Sequence, residues 1–219
     1  MFLGHFAVAF AAKAAAPRAS LGSLFLAAQF LDLLWPTLLL LGWEEVRINP
    51  SPAGGPPLDF VDYPISHSLA GVLAWSLLFV MVPFLRDRKW RTGLVLGGLV
   101  LSHWLLDLVV HHPDLPLYPG APDYLGLGLW AYPVSENLLE FALLAIGVLL
   151  YLRATRALDD SGRRGLWTLL GTLCLIQAGN SFGAPPPSTA AVAWVGQAQW
   201  LLVAWAWWVD RHRDTGLRL

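Results

Sequence analysis

The stretch HWLLDLVVHH, residues 103–112, carries one acid and three imidazoles inside a run of leucine and valine. Residues four apart share a helix face, so His103, Asp107 and His111 form one stripe with His112 beside it. From His103 to His112 the rise is about 13 Å along a helix axis. A second pair at the same spacing, Glu136 and Glu140, opens the next apolar run in SENLLE. Three further groups fall one to a segment: His5 in GHFAVAF, Asp32 in QFLDLLWP and His67 in SHSLAG. Imidazole nitrogens and carboxylate oxygens without a thiolate suit Zn²⁺ first, then Mn²⁺, Fe²⁺ or Ni²⁺. About eight candidate ligands, at roughly four to six per ion, leave room for one to three ions. Such clusters activate a bound water and clamp the oxygens of an in-line displacement at phosphorus, so hydrolysis is the expected chemistry.

Singly, each group has a plainer reading. An acid within an apolar helix can serve packing, a histidine near a helix end can sit at the interface, and Ser66 or Ser135 can simply cap a helix. Asp59, Asp114, Asp123 and His212 read in this way as solvated loop or tail residues. The set as a whole resists that explanation. Insertion scales charge roughly 3 kcal/mol for one Asp at a helix centre, and no Lys or Arg is expected at that depth. A bound divalent cation is the simplest compensating charge.

The elements that must position these groups are apolar runs of membrane-spanning length. They fall at about 21–43, 66–85, 92–112, 134–153, 166–183 and 190–209, with a shorter one at about 2–16. The breaks carry turn residues or charge: SPAGGPP at 51–57, RDRKWR at 86–91, HPDLPLYPGAPDY at 112–124, DDSGRR at 159–164 and GAPPPS at 183–188. Composition agrees, since 56% of the 219 residues are hydrophobic, 13% are charged, and the mean hydropathy is +0.55, outside the range of soluble domains. The expected fold is all-α, a polytopic bundle of six to seven transmembrane helices forming one integral membrane domain over residues 1–219. Its metal site lies between helices near the outer face, on segments within about 1–153, with extra helices at about 166–209. A net charge of −1 suggests no nucleic-acid partner. The single cysteine, Cys174, excludes an intrachain disulfide and a thiolate cluster, and reads as a core residue.

Basic residues set the orientation. With alternate breaks assigned to one side, Lys13, Arg18, Arg86, Arg88, Lys89, Arg91, Arg153, Arg156, Arg163, Arg164, Arg211, Arg213 and Arg218 fall together, leaving Arg47 alone of the 14 Lys and Arg. The N-terminus is therefore expected outside and the C-terminus in the cytoplasm. The first run lacks a positive leading region, its charges lying after the apolar stretch, so it reads as a span rather than a cleaved signal peptide. The candidate ligands sort to the opposite, outer side.

The ordered set His5, Asp32, His67, HxxxD at 103–107, a further His at 111 or 112, and ExxxE at 136–140 resembles the membrane-bound metal-dependent hydrolase family of bacterial inner membranes. It is more distantly similar to zinc-dependent phospholipase C and S1/P1 nuclease, all-α enzymes with a three-zinc site. GHFAVAF, SHSLAG and HWLLDLVVHH carry the likeness, which covers about residues 1–145. It implies a bacterial inner-membrane location, His5, His67, His103, Asp107 and Glu140 as ligands, and Asp32 as a ligand or as the base that orients the water. This chain departs from the soluble enzymes in having Glu136 where they have His, in the closer spacing of the His after HxxxD, and in lacking their freed N-terminal ligand residue. Two ions or one are therefore expected rather than three.

The leading function is hydrolysis of a phosphoester in a membrane lipid, with Asp32 or Glu140 taking the proton from the attacking water. The loop at 113–133, with Tyr118, Tyr124, Trp130 and Tyr132, suits the membrane interface and a cover over the site. An ion- or proton-coupled transporter is the first alternative, and it would need polar residues to continue towards the cytoplasm, where the segments hold Leu, Val, Gly and Ala. A non-catalytic metal-stabilised scaffold is the second. HExxH and a Gly-rich phosphate loop are missing from the sequence.

Overall fold

The computed structural model describes residues 1–50 and 54–216. The start of the SPAGGPP break and Arg218 of the expected cytoplasmic side lie outside the described residues. In chain order the helices are α1 (Leu3–Ala15), α2 (Leu21–Ala28), α3 (Phe30–Leu40), the single turn α4 (Pro64–His67), α5 (Leu69–Asp87), α6 (Trp90–Val110), α7 (Pro133–Ala154), α8 (Asp160–Phe182), α9 (Thr189–Gln197) and α10 (Gln199–Arg211). Ser20, Ser68, Asp159 and Ser188 each accept a backbone N–H from the first turn of α2, α5, α8 and α9 respectively, as N-cap chemistry requires.

The core forms around α1, which packs against α2, α6 and α7 with Leu3, Phe6, Ala9 and Phe10 buried. Gly147 permits the close approach of α7, because a Cβ there would collide with the backbone of Ala7. α5 and α6 form an antiparallel hairpin turned by Arg88, whose φ of 56° is left-handed. Gly93 and Gly97 bring the two backbones together, and Ser76 donates to the Gly97 carbonyl at 2.8 Å.

Three helices among the described residues, α5, α6 and α7, are long and apolar enough to cross a membrane. α5 turns Leu73, Leu77, Leu78, Val82 and Leu85 outward and buries only Val72, the reverse of a helix in a water-soluble core. α2 and α3 together reach the same length but are bent by 57° at Gln29, and count as a fourth span only if taken as one.

The other expected spans differ from their runs. α1 has 13 residues, about 20 Å, against a hydrocarbon thickness of about 30 Å. The 190–209 run is divided at Ala198 into α9 and α10. α8 opens on Asp160, Arg163 and Arg164 and carries Gln177 and Asn180, polar groups that dilute its apolar stretch. The fold is also not purely helical. Strands β1 (Glu45–Ile48) and β2 (Leu58–Asp62) pair antiparallel with Val46 opposite Phe60, and two-residue pairs join β3 (Leu115–Pro116) to β4 (Tyr124–Leu125) and β5 (Arg156–Ala157) to β6 (Arg213–Asp214). Side chains alternate along EVRI with the two-residue period of a strand, LDFVD breaks that alternation at Val61 where the pairing shifts register, and both segments are too short to show in a span-length window.

Candidate metal centre

His103 and Asp107 project from one face of α6 and are both buried. His103 Nε2 lies 3.1 Å from Asp107 Oδ2 but makes no hydrogen bond. Its other nitrogen, Nδ1, is 2.7 Å from the carbonyl oxygen of Ala28. A carbonyl only accepts, so Nδ1 carries the proton, and in its neutral form His103 would present a bare Nε2 to the carboxylates. Insertion of this ring at the end of α2 also accounts for the bend at Gln29, since AAQF contains neither proline nor glycine and a side chain entering the backbone ladder kinks a helix. The Gln29 amide at the break is fully buried with no protein partner among the described residues.

The bend places α3 so that Asp32 Oδ1 lies 3.7 Å from His103 Nε2 and 3.6 Å from His67 Nε2. His67 Nε2 is in turn 3.9 Å from Asp107 Oδ2. The ring of His5 stacks on that of His103 with centroids 3.6 Å apart and an interplanar angle of 4°. His5 Nε2 lies 3.1 Å from Asp107 Oδ1, which also accepts the Met1 α-amine at 2.7 Å. His5 Nδ1 is buried without a partner. Two three-residue groups with the closeness of metal ligands result, His5–His103–Asp107 and Asp32–His67–His103.

Bonds of about 2.0–2.1 Å in a tetrahedral ion would set ligand atoms about 3.3–3.4 Å apart. The separations of 3.1, 3.6, 3.7 and 3.9 Å among Asp32 Oδ1, His67 Nε2, His103 Nε2 and Asp107 Oδ2 bracket that value. Each of the two three-residue groups could hold a metal ion. Asp32, with 28% of its side chain accessible, is the open side of an otherwise enclosed set.

His67 is held from behind. It ends α4, where Pro64 starts the turn and the extended backbone of Ser68 stops it. Trp104 donates to the His67 carbonyl at 3.0 Å. His67 Nδ1 lies 2.7 Å from the hydroxyl of Ser66, and that hydroxyl donates to Glu44 Oε2 at 2.6 Å. The Ser66 backbone N–H donates to Glu44 Oε1 at 2.8 Å. Burial pushes the Glu44 carboxyl above its ordinary value, opposed by both Ser66 bonds. Glu44 reaches this position because α3 ends on Gly42 (φ 69°), with Gly42 and Trp43 donating to the carbonyls of Leu39 and Leu38, the Schellman pattern that reverses the chain. Glu44 is absent from the ligand set read from sequence.

Three of the expected ligands take other partners. Glu140 uses both oxygens on α1, accepting from Phe2 N–H at 2.7 Å and Gly4 N–H at 2.6 Å, a carboxylate at a helix N-terminus. Glu136 lies beside Glu140, buried on α7. His111 caps α6 with extended backbone, so its ring leaves the stripe and packs on Trp130 at 4.0 Å. It donates from Nδ1 to Asp114 Oδ1 at 2.8 Å, and the Tyr63 hydroxyl donates to the same oxygen at 3.0 Å. Burial first, then Asp114, pushes the Tyr63 hydroxyl well above its ordinary value and keeps it a donor. Asp114 is thus a partner within a half-buried box rather than a solvated loop residue. His112 lies 3.4 Å from the Gly54 carbonyl. In the aromatic loop, Trp130 is buried while Tyr118, Tyr124 and Tyr132 are exposed.

Comparison with protein-family models, curated proteins and solved structures finds no match to this chain.

Proposed function

We propose that this chain is a membrane-embedded, metal-dependent hydrolase of a phosphoester in a membrane lipid, with its site open to the extracytoplasmic side. The observation that carries the reading is the convergence of His5, Asp32, His67, His103 and Asp107 from α1, α3, α4 and α6 around the bare Nε2 of His103. Asp32, His67, His103 and Asp107 would hold a zinc ion, with His5 beside them in the second group that could take one. The metal supplies positive charge, Lewis acidity and a water of lowered pKa. Asp32 turns Oδ1 towards the imidazoles, and its second oxygen would accept a proton. Glu140 is excluded from that role by its two backbone donors and instead fixes the N-terminal turn that carries His5.

The accessibility of Asp32 favours catalysis over a purely structural ion, whose shell would be closed. Beyond the cluster, Phe6, Phe10, Leu96, Leu99 and Val100 fill the core, which suits a blind site better than a conduit. Six to seven crossings with the N-terminus outside would put the basic residues other than Arg47 on the cytoplasmic side. Lys13 supports this orientation, since it lies eight residues, about 12 Å, along α1 from His5. The order of ligands supports kinship with the membrane-bound metal-dependent hydrolases of bacterial inner membranes.

Elemental analysis of the purified protein and of His103→Ala and Asp107→Ala tests the centre. Stoichiometric zinc in the wild type and its loss in both variants is the expected result. Equally little metal in all three overturns the reading. Phosphorylated headgroup released from mixed-lipid vesicles, and abolished by chelation, separates an enzyme from a scaffold.

A further inference from the structure

Three imidazoles meet at the centre, and each is set by a different device. On the Nδ1 side, His103 donates to a neutral backbone carbonyl, His5 has no partner, and His67 is joined through a hydroxyl to the buried Glu44 carboxylate. We infer that Glu44 and Ser66 are positioning residues: the Glu44 carboxylate, acting through the Ser66 hydroxyl, holds His67 as its Nδ1–H tautomer and so aims a bare Nε2 at the ion. The inference rests on the proposed metal centre.

The direction of the chain of hydrogen bonds follows from counting protons. Ser66 has one hydroxyl proton, and the short bond to Glu44 Oε2 takes it. The hydroxyl can then only accept from His67 Nδ1, which leaves Nε2 unprotonated towards Asp32 Oδ1 at 3.6 Å and Asp107 Oδ2 at 3.9 Å. The Ser66 backbone N–H anchors the other carboxylate oxygen at 2.8 Å, so Glu44 cannot rotate without losing both bonds. Ser66 is fully buried and Glu44 and His67 are nearly so, which keeps water from replacing any link. Outer partners of this kind orient a ligating imidazole and raise its basicity.

Isosteric Glu44→Gln is the sharpest probe. The Ser66 N–H retains the amide oxygen at the Oε1 position, which puts the amide NH₂ where Oε2 accepted. The hydroxyl must then accept from that NH₂ and turn its proton to His67 Nδ1 or the Tyr63 carbonyl. His67 is expected to shift towards the Nε2–H tautomer, read by ¹⁵N-histidine NMR of metal-free protein in detergent, with the His103 tautomer unchanged as the check on folding. Zinc affinity, measured by competition with a chelator, should fall about 10–100-fold. Ser66→Ala should give mixed His67 tautomers and a loss in the same range. An Nδ1–H tautomer of His67 retained in both variants, or zinc affinity equal to the wild type, overturns the inference. A wild-type protein that binds no zinc would overturn the metal centre instead, and the tautomers would still judge the relay.

Discussion

At one end of α1, Lys13 is buried with its ammonium 2.8 Å from Asp210 and 2.8 Å from the Ala19 carbonyl. Around it, Arg213 donates to Thr155 and to the Gly162 carbonyl. At the other end, His5 enters a cluster in which Asp107 and Asp32 face three imidazoles, and the Met1 amine accounts for only one carboxylate oxygen. The basic end neutralises itself with protein groups of opposite sign. The site end sets two carboxylates against three imidazoles, an arrangement that the proposed cation would stabilise in a weakly polar interior. On the proposed reading, buried charge serves fixed architecture at one end and a ligand at the other.

The strongest way to break this contrast is Asp107→Asn, since Asp107 belongs to the site through both oxygens. Zinc affinity should drop by at least ~100-fold, beyond the range of outer-partner changes, as read by chelator competition. Lys13→Met reverses the pattern of effects. It leaves Asp210, with 17% of its side chain accessible, without its cation, and should cost about 1–3 kcal/mol on unfolding, less than for a fully buried pair, with zinc content unchanged. Gly147→Ala tests whether the scaffold transmits to the site. The added methyl meets the Ala7 backbone and should cost about 1–2 kcal/mol by overpacking, while zinc titration shows weaker binding because His5 is displaced with α1.

The smallest effect concerns pH at the basic end. Bonds from His212 and from the Gly162 N–H hold the Asp159 carboxyl below its ordinary value. A lowered folded-state value makes its contribution complete above the unfolded carboxylate range, near 3.9, and lost as pH falls further through the folded value. Faster amide exchange at Leu158, which donates to the His212 carbonyl at 3.0 Å, should appear only in that acidic window. Asp159→Asn should remove the pH dependence.

Residue type and spacing were enough to nominate His5, Asp32, His67, His103 and Asp107, because an imidazole or acid inside an apolar run stands out by its desolvation cost. Glu140 shows the limit of the same reasoning. Its spacing from Glu136 suggests paired ligands, yet its partners are the backbone N–H groups of Phe2 and Gly4, which no spacing rule displays. Glu44 was hidden differently, in WEEVRI beside Arg47, where acids after a span read as a solvated turn. Two acids immediately behind an apolar run, followed by strand alternation, were the available signal. The Gln29 break was illegible because its cause, His103, lies 75 residues away from Ala28.

The interruption at Gln29 works like the rivet of a pair of pliers. One jaw, α2, grips the His103 ring by the Ala28 carbonyl, and the other, α3, carries Asp32 about a turn beyond the pivot. Swinging α3 by about 10° would shift a point one turn out, about 5.4 Å away, by roughly 1 Å, comparable to the difference between a coordinated and a released oxygen. Whatever bends or straightens this joint, such as a thinner bilayer, would tighten or slacken the hold on the proposed ion without touching any of its candidate ligands directly.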